Sequence, residues 1–240
     1  MNDWFTAEQR ERLRIQELLL KEIYSINGSP LFKGGTALEI AYGLDRFSED
    51  LDFDMDEKDI TIIDAAIENL DSRVMSVEND WEAEIIRHSN MHVFVLDFFS
   101  AQLNSRVSIK IDAVFERHML EPKKKLIEVS GFPVVLNVMA EREILAEKVN
   151  AIMNTARNQP RDLYDLRFLL MAGTPIDLHL VYQKSGRRTF GDVQKYSFGA
   201  FAERIGSMVG RWAELEPYVM ALPRFTEVRD YVLGAFRLMG

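Results

Sequence analysis

The chain has 240 residues and no cysteine. This length allows one or two domains with sizeable cores, and the lack of cysteine excludes disulfide frameworks, cysteine-ligated zinc, iron–sulfur clusters and thiol catalysis. A net charge of −9 argues against a globally basic nucleic-acid binder. We expect a soluble, cytoplasmic protein without membrane association, because no signal-peptide pattern begins the chain and no apolar run approaches the roughly 18 residues that a membrane span needs.

The first 55 residues predict a helix, a short strand, a second helix and a second strand. Thr6 to Ile26 has helical apolar spacing, with Thr6 and Gln9 placed as a capping box. Leu31-Phe32 forms a short apolar step before the turn Lys33-Gly34-Gly35 and the helix Thr36 to Tyr42. Asp50 to Met55 then alternates acid with apolar residue, which predicts a strand with one carboxylate face.

A helix over Ile60 to Leu70 is predicted to precede a set of antiparallel strands. The predicted strands are Arg73 to Val77, Ala83 to Arg87, His92 to Phe98, Arg106 to Phe115, Lys123 to Val129 and Val134 to Val138. From Ala140 the pattern becomes helical, over Glu141 to Ala156, Asp162 to Met171, Ile176 to Gln183, Val193 to Met208 and Glu227 to Leu238. The sequence therefore predicts an α+β protein with a mixed α/β domain over 1–139 and a helical domain over 140–240, with a cleft between them.

Charge divides the chain at the same place. Residues 1–140 hold 15 Lys and Arg against 26 Asp and Glu, a net of −11, whereas residues 141–240 hold 14 against 12, a net of +2. Within the first part, Asp45 to Asp59 carries eight acids and two bases. Such a segment is either heavily solvated or gathers cations, and this choice decides the function.

A pair of carboxylates carries the strongest chemical signal. Residues i and i+2 of a strand share a face, so Asp50 and Asp52 project side by side and repel each other unless a cation lies between them. Magnesium commonly takes one or two carboxylates together with substrate phosphates. Asp112 lies between apolar residues in another predicted strand, and it becomes a third ligand if the two strands are neighbours. A solvated surface pair is the simpler alternative.

A glycine turn precedes this pair. Gly34-Gly35-Thr36 leads into a helix, where bare backbone N–H groups can approach a phosphate. On its own the motif equally fits a tight turn that needs a positive φ.

Together these segments resemble the first motif of the AbiEii-type nucleotidyltransferases, toxins of type IV toxin–antitoxin and abortive-infection systems within the DNA polymerase β-like superfamily. The resemblance rests on the glycine pair, on Arg46-Phe47-Ser48 and on Ser48 to Phe53, in order and at the family spacing. It continues at Ile144 to Lys148 and at Arg161 to Asp165. Gln159 stands where the last motif often has an arginine, and Arg157 is a possible substitute one helical turn away.

The resemblance implies transfer of a nucleoside monophosphate from an NTP to an acceptor. Asp50 and Asp52, helped by Asp112, would hold one or two magnesium ions, and Asp162 would orient Lys148 or a substrate hydroxyl. Contacts to the nucleotide would come from Gly34, Gly35, Thr36, Arg46, Ser48 and Lys148. The tRNA 3′ end is the leading acceptor class, and a cognate antitoxin protein is the expected partner.

Other functions remain open at this stage. A protein or a small molecule would serve as acceptor at the same metal and phosphate site, and a non-catalytic nucleotide-binding regulatory module is a further alternative. A basic strip would suit a triphosphate or an RNA backbone, although a solvated helical face explains it nearly as well; it comprises Lys148, Arg157, Arg161, Arg167, Lys184, Arg187 and Arg188. Lys123-Lys124-Lys125 is either a second RNA contact or the lysine protection of an edge strand.

Overall fold

The computed structural model describes residues 4–74, 81–185 and 195–238. The protein consists of two compact units, the first comprising 1–43 and 47–139, the second comprising 44–46 and 140–240. The three residues Leu44 to Arg46 thus belong to the second unit, although they lie within the sequence of the first. None of the described helices is both long and apolar enough to cross a membrane.

The first unit begins with α1 (Ala7–Ile26), which starts at the predicted capping box. The Thr6 hydroxyl accepts a hydrogen bond from the Gln9 amide at 3.1 Å, and the Gln9 side chain accepts one from the Thr6 amide at 2.9 Å. These two bonds satisfy backbone donors that would otherwise lack partners at the helix start. The remaining described helices of this unit are α2 (Gly34–Tyr42) and α3 (Thr61–Val74), with a short 3-10 helix at Glu57–Asp59.

Seven strands among the described residues form one mixed sheet, which confirms the predicted α+β class. They are β1 (Leu31–Lys33), β2 (Asp50–Asp54), β3 (Trp81–Arg87), β4 (Met91–Ser100), β5 (Ser105–Val114), β6 (Lys123–Val129) and β7 (Phe132–Val138). Their order across the sheet is β3-β4-β5-β2-β1-β7-β6. The β1/β7 and β2/β5 pairs are parallel, whereas the other pairs are antiparallel. The lysine triplet therefore lies on an edge strand of the described sheet.

One apolar core joins the sheet to α1 and α3. Helical spacing places Leu19 and Ile23 of α1 in the same buried cluster as Ile63 of α3, and the strands contribute Leu51 and Phe53. Because successive strand residues point to opposite faces, burying Leu51 and Phe53 leaves the acids of β2 on the other face. The core thereby fixes which way the carboxylates project.

The predicted strand at Arg73 to Val77 is wrong at its start, because Arg73 and Val74 end α3. The helical period of Ile63, Ala66, Ile67 and Leu70, all in the core, outweighs the local alternation that suggested a strand. Residues 75–77 lie outside the described part of the chain.

The regular elements of the second unit are helices over its described residues, joined by turns and loops. Its α-helices are α4 (Glu141–Met153), α5 (Pro160–Met171), α6 (Leu178–Ser185), α7 (Phe198–Gly206) and α8 (Phe225–Arg237), with a 3-10 helix at Val209–Tyr218 between the last two. Apolar residues such as Leu145, Leu166, Phe201 and Val232 are fully buried. Arg46 forms an isolated antiparallel bridge with Val219, which ties the segment Leu44 to Arg46 to this unit.

Gly34 occupies a position that excludes other residues. Its φ is +78°, a backbone conformation that glycine adopts without strain, and a Cβ built there would overlap Asp52 Oδ2 and lie 2.8 Å from Asp52 Cγ. The start of α2 and the β2 carboxylate are therefore in direct proximity.

We predict that Gly34→Ala lowers the free energy of unfolding by about 2 kcal/mol or more, because backbone strain adds to the displacement of Asp52. The matched control is Gly28→Ala, since a Cβ at Gly28 meets nothing within 4 Å and its φ is not positive. Urea unfolding of both variants measures the difference. Equal free energies of unfolding for the two variants would contradict the prediction, because they would show that Asp52 moves aside for the added Cβ at no cost.

Candidate active site

Three acids share one face of β2. Asp50 and Asp52 are half-buried and Asp54 is buried, whereas the intervening Leu51 and Phe53 lie in the core. Carboxylates spaced in this way repel one another and raise the cost of keeping all of them ionised. Two lysines offset this repulsion: Lys33 lies near Asp54, and Lys110 lies opposite Asp50 on the neighbouring strand.

Lys33 neutralises the buried end. Its ammonium lies 2.6 Å from Asp54 Oδ1, and both side chains are almost fully excluded from solvent. Lys33 is the last residue of β1, directly before the glycine pair, so this ion pair also anchors the chain where α2 begins. Asp54 thus has a structural partner, and Asp50 and Asp52 are the acids at the solvent-accessible end.

Asp112 lies beside Asp52, as the sequence required for a third carboxylate. β2 and β5 are parallel neighbours, with Asp52 opposite Asp112 and Asp50 opposite Lys110. Paired residues on adjacent strands project to the same face, so the acids from both strands converge. Asp112 Oδ1 is buried and accepts no hydrogen bond among the described residues.

Lys110 is the cation within this group. Its ammonium lies 2.6 Å from Asp112 Oδ2. Burial by itself would lower the pKa of Lys110, but the hydrogen bond to Asp112 and the negative charges of Asp112, Asp50 and Asp52 outweigh burial and raise it. A positive charge is therefore favoured at this point between the two strands.

The oxygen donors fit a hard divalent cation in their chemistry. Three carboxylates come from adjacent strands, and one of their buried oxygens lacks a hydrogen-bond donor. As the side chains stand, no three acids or histidines among the described residues are grouped closely enough to hold a metal ion. Within the set, Asp112 is paired with Lys110.

The glycine turn brings backbone close to these acids. α2 begins directly at Gly34 without a side-chain cap, so its first N–H groups donate no hydrogen bond to a capping side chain. The helix N-terminus carries partial positive charge and favours an anion. Gly34 and Gly35 thus remain candidates for phosphate binding.

Two predicted nucleotide contacts have other partners. The Thr36 hydroxyl donates a hydrogen bond to the backbone carbonyl of Asp50, and Thr36 is fully buried. The hydroxyl thus holds the start of β2, and the phosphate contact of Thr36 stays a prediction. The Ser48 amide donates to Glu39 Oε2 at 2.7 Å. Because the backbone amide of Ser48 is engaged, the predicted nucleotide contact of Ser48 falls to its hydroxyl.

The second unit contains a buried network of two acids and three bases. Asp165 accepts two hydrogen bonds from the Arg46 guanidinium, at 2.9 and 3.0 Å, and lies 2.7 Å from the Lys148 ammonium. Asp162 lies 3.1 Å from Lys148 and 2.7 Å from Arg157 Nε. Lys148 therefore bridges the two carboxylates, and it does contact Asp162.

This network changes the interpretation of Arg46. Its side chain is 3% exposed and its two-pronged contact with Asp165 commits the guanidinium. In this structure the guanidinium has a structural role, because breaking the pair would leave a buried charge uncompensated, and its contact with a leaving group stays a prediction. Asp165 is the residue that sequence reasoning missed, although its spacing of three from Asp162 on α5 already placed both acids on one helix face.

Both carboxylates are held ionised by their partners. Burial would raise the pKa of Asp162, but the charges of Lys148 and Arg157 outweigh it and lower the pKa well below its usual range. For Asp165, burial is likewise outweighed by Arg46 and Lys148, and its pKa is lowered. Burial raises the pKa of Tyr164, whose hydroxyl donates to Asp45 at 3.0 Å.

Other members of the predicted basic strip differ in availability. Lys184 is fully buried and paired with Glu143 at 2.9 Å and with Glu147, so its inclusion in an electropositive surface is wrong. Arg157 is committed in part to Asp162, whereas Arg161 and Arg167 are half-buried. Arg187 and Arg188 lie outside the described residues.

Two solved structures share this fold. Protein JHP933 from Helicobacter pylori aligns over 98% of this chain and 93% of its own, with a TM-score of 0.63 and 16% identity. A second H. pylori structure, described as a proposed nucleotidyltransferase, aligns over 98% and 96% with the same score and identity. At this identity the likeness shows the fold alone. No curated protein sequence matches the chain.

A family model gives the more specific assignment. The model described as nucleotidyl transferase AbiEii toxin, type IV toxin–antitoxin system, matches residues 27–215. This range includes the glycine turn, the β2 acids, Asp112 and the Lys148 network. The chain therefore belongs to the AbiEii nucleotidyltransferase family, which confirms the resemblance seen in the sequence.

We predict that Asp165→Asn lowers the free energy of unfolding at pH 7 by about 3–5 kcal/mol, since it removes one partner of a buried ion pair. A lowered native pKa stabilises the fold at pH values above the unfolded value of about 4, and this contribution is lost as the pH falls through the native pKa. The difference between wild type and variant should therefore shrink below about pH 4.

Thermal unfolding from pH 3 to pH 7 measures this difference. Asp230→Asn serves as the matched control. The Asp230 side chain is 65% exposed, and the substitution removes the same charge from the same unit. A stability difference that stays constant across the whole range would contradict the assignment of an ionised, paired Asp165.

Proposed function

We propose that this nucleotidyltransferase moves a nucleoside monophosphate from an NTP to a hydroxyl of an RNA acceptor, with the tRNA 3′ end as the leading class, and that it acts as the toxin of a type IV toxin–antitoxin system. The observation that carries the proposal is the register of β2 and β5, which sets Asp52 opposite Asp112 with Asp50 on the same face. Membership of the AbiEii family supports the reaction class and a partner antitoxin.

In this proposal Asp50, Asp52 and Asp112 hold one or two magnesium ions. When bound, magnesium would supply positive charge to the phosphoryl oxygens and align the acceptor with the triphosphate. Transfer forms a bond between the acceptor oxygen and the α-phosphorus, breaks the bond to the β-phosphate oxygen and releases pyrophosphate. The hydroxyl loses its proton in the same process.

The chain's own groups position the substrates. The uncapped amides at Gly34 and Gly35 offer hydrogen bonds to phosphate oxygens, and the Ser48 hydroxyl is a further donor. Thr36 contributes indirectly, because its bond to the Asp50 carbonyl fixes the strand that carries the acids. Lys33 keeps Asp54 neutralised, so that the negative charge at the open end comes from Asp50 and Asp52.

We predict that Asp52→Asn reduces nucleotide transfer at least about a hundredfold while leaving the fold intact, because it removes a cation ligand from a face that the core does not use. The assay combines the protein with magnesium, each of the four α-labelled NTPs in turn and total tRNA, and resolves labelled RNA on a denaturing gel. Asp56→Asn is the matched control, since Asp56 is an exposed acid of the same segment and loses the same charge.

The outcomes separate the functional alternatives. Labelled RNA that requires Asp52 but not Asp56 would establish the reaction and identify the nucleotide. Absence of labelled RNA, with NTP binding still visible as a thermal shift, would overturn the RNA acceptor in favour of a protein or small molecule. Failure to bind NTP would favour a regulatory module instead.

Lys148 and Asp162 remain candidates for the catalytic machinery of the same reaction. The Lys148 ammonium contacts Asp162 and Asp165, and such a pair of contacts fixes the direction in which the ammonium points. We predict that Lys148→Met raises the KM for NTP about tenfold or more, whereas Lys148→Arg retains part of the affinity. Unfolding measured in parallel distinguishes this effect from collapse of the network, which would lower stability and leave the KM of the folded fraction unchanged.

A further inference from the structure

Lys110 occupies the position of a counter-ion among the proposed metal ligands. Its ammonium lies 2.6 Å from Asp112 Oδ2, and its strand position is opposite Asp50. The side chain is 40% exposed, so it reaches the acids from the solvent side and is not locked in the core. A single positive charge thus offsets part of the repulsion among the acids of β2 and β5.

We propose that Lys110 is a built-in competitor of the divalent cation, which releases Asp112 when the cation binds. This inference rests on the proposed metal site at Asp50, Asp52 and Asp112. It adds a residue that controls how tightly and how selectively that site binds a cation, and it assigns the lysine a positioning role, since it acts through Asp112.

The argument starts from charge. An ammonium and a divalent ion that share one carboxylate group repel each other strongly, because both are positive and the Coulomb energy rises as their separation shortens. Binding of the divalent ion therefore includes the free-energy cost of moving Lys110 away from Asp112. Removal of the lysine charge removes this cost.

The buried oxygen of Asp112 supplies the second step. One oxygen of this carboxylate pairs with Lys110, and the other is buried without a hydrogen bond among the described residues. A buried carboxylate oxygen without a donor is costly, and a metal ligand bond is one way to satisfy it. Lys110 therefore satisfies half of the carboxylate in the metal-free protein, and the other half is left for a cation.

The strand register places Asp52 and Asp112 side by side even though the described acids form no three-member cluster. No three acids or histidines in the described residues are grouped to hold a metal ion. Asp52 and Asp112 are nevertheless directly opposite each other on adjacent strands, so their backbone positions are already suitable. In the proposal, release of Asp112 from Lys110 frees the carboxylate that lies opposite Asp52.

The test measures binding of Mn²⁺ alone, without NTP, by the electron paramagnetic resonance signal of the free ion. We expect Lys110→Met to tighten Mn²⁺ binding about tenfold, because the competing charge is gone while the apolar stem is kept. Lys110→Gln should give a similar gain, since it keeps a hydrogen-bond donor for Asp112 without the charge. Lys110→Arg retains the charge and should resemble wild type.

A stability measurement gives an independent readout. Without metal, Lys110→Met should have a lower melting temperature than wild type, because the acids lose their counter-ion. Saturating Mn²⁺ should raise the melting temperature of the variant more than that of wild type. Lys58→Met is the matched control, since it removes an exposed lysine of the same unit, with a side chain 77% exposed.

The outcomes distinguish this inference from the proposed function. Unchanged or weaker Mn²⁺ binding in both Lys110→Met and Lys110→Gln, with wild-type binding that requires Asp52, would overturn the competitor role and leave the metal site standing. Absence of Mn²⁺ binding in every variant, or binding that survives Asp52→Asn, would overturn the metal site and with it this inference. Tighter binding in the two uncharged variants alone supports the competitor role.

Discussion

The repulsion among carboxylates on one strand face is the constraint on which the rest of this structure depends. The apolar alternation of β2 buries Leu51 and Phe53, and as a result it must project Asp50, Asp52 and Asp54 together on the other face. Such a face is stable only with positive charge nearby. Lys33 supplies positive charge at the buried end, and Lys110 supplies it from the neighbouring strand β5. The start of α2 adds the partial positive charge of its amides.

The helical unit solves the same problem by a different arrangement. Asp162 and Asp165 are buried on α5, where desolvation would protonate them in the absence of partners. Lys148 from α4 bridges the two acids, and arginines complete the set from either side. A buried network of this kind contributes little net stability but is strongly destabilised by the loss of one member, so it specifies the packing of α4 against α5.

Sequence reasoning located most elements and placed Asp50, Asp52 and Asp112 on strands, because these depend on local periodicity. The capping box at Thr6, the alternation of β2 and the strand over Lys123–Val129 are all written in adjacent residues. The partner of each charge is set by tertiary contacts, so Arg46, Thr36 and Lys184 were assigned to solvent-facing or substrate roles although the fold buries them. The 3-10 helix at Val209–Tyr218 was missed because Gly210 and Pro217 interrupt the helical pattern.

The signals for the missed residues were nonetheless present. Lys110 lies two residues before Asp112 in a strand, so the two had to share a face. Asp165 lies one helical turn from Asp162, in the same motif that carried the family resemblance. Reading every charge together with its i+2 or i+3 neighbour would have recovered both of these residues, whereas the partnership of Lys33 with Asp54 required the β1/β2 pairing.

Arg46 and Asp165 are separated by 119 positions along the chain, yet they form one buried ion pair. The helical unit therefore depends on a contact that is distant in sequence, because its central acid pairs with a segment near the N-terminus. During synthesis, this segment leaves the ribosome long before α5 and must wait for its partner. A fragment cut at residue 140 would also retain Asp165 and Lys148 while losing the arginine that balances them. The helical unit thus includes residues 44–46, which lie outside the continuous stretch 140–240 that forms the rest of it.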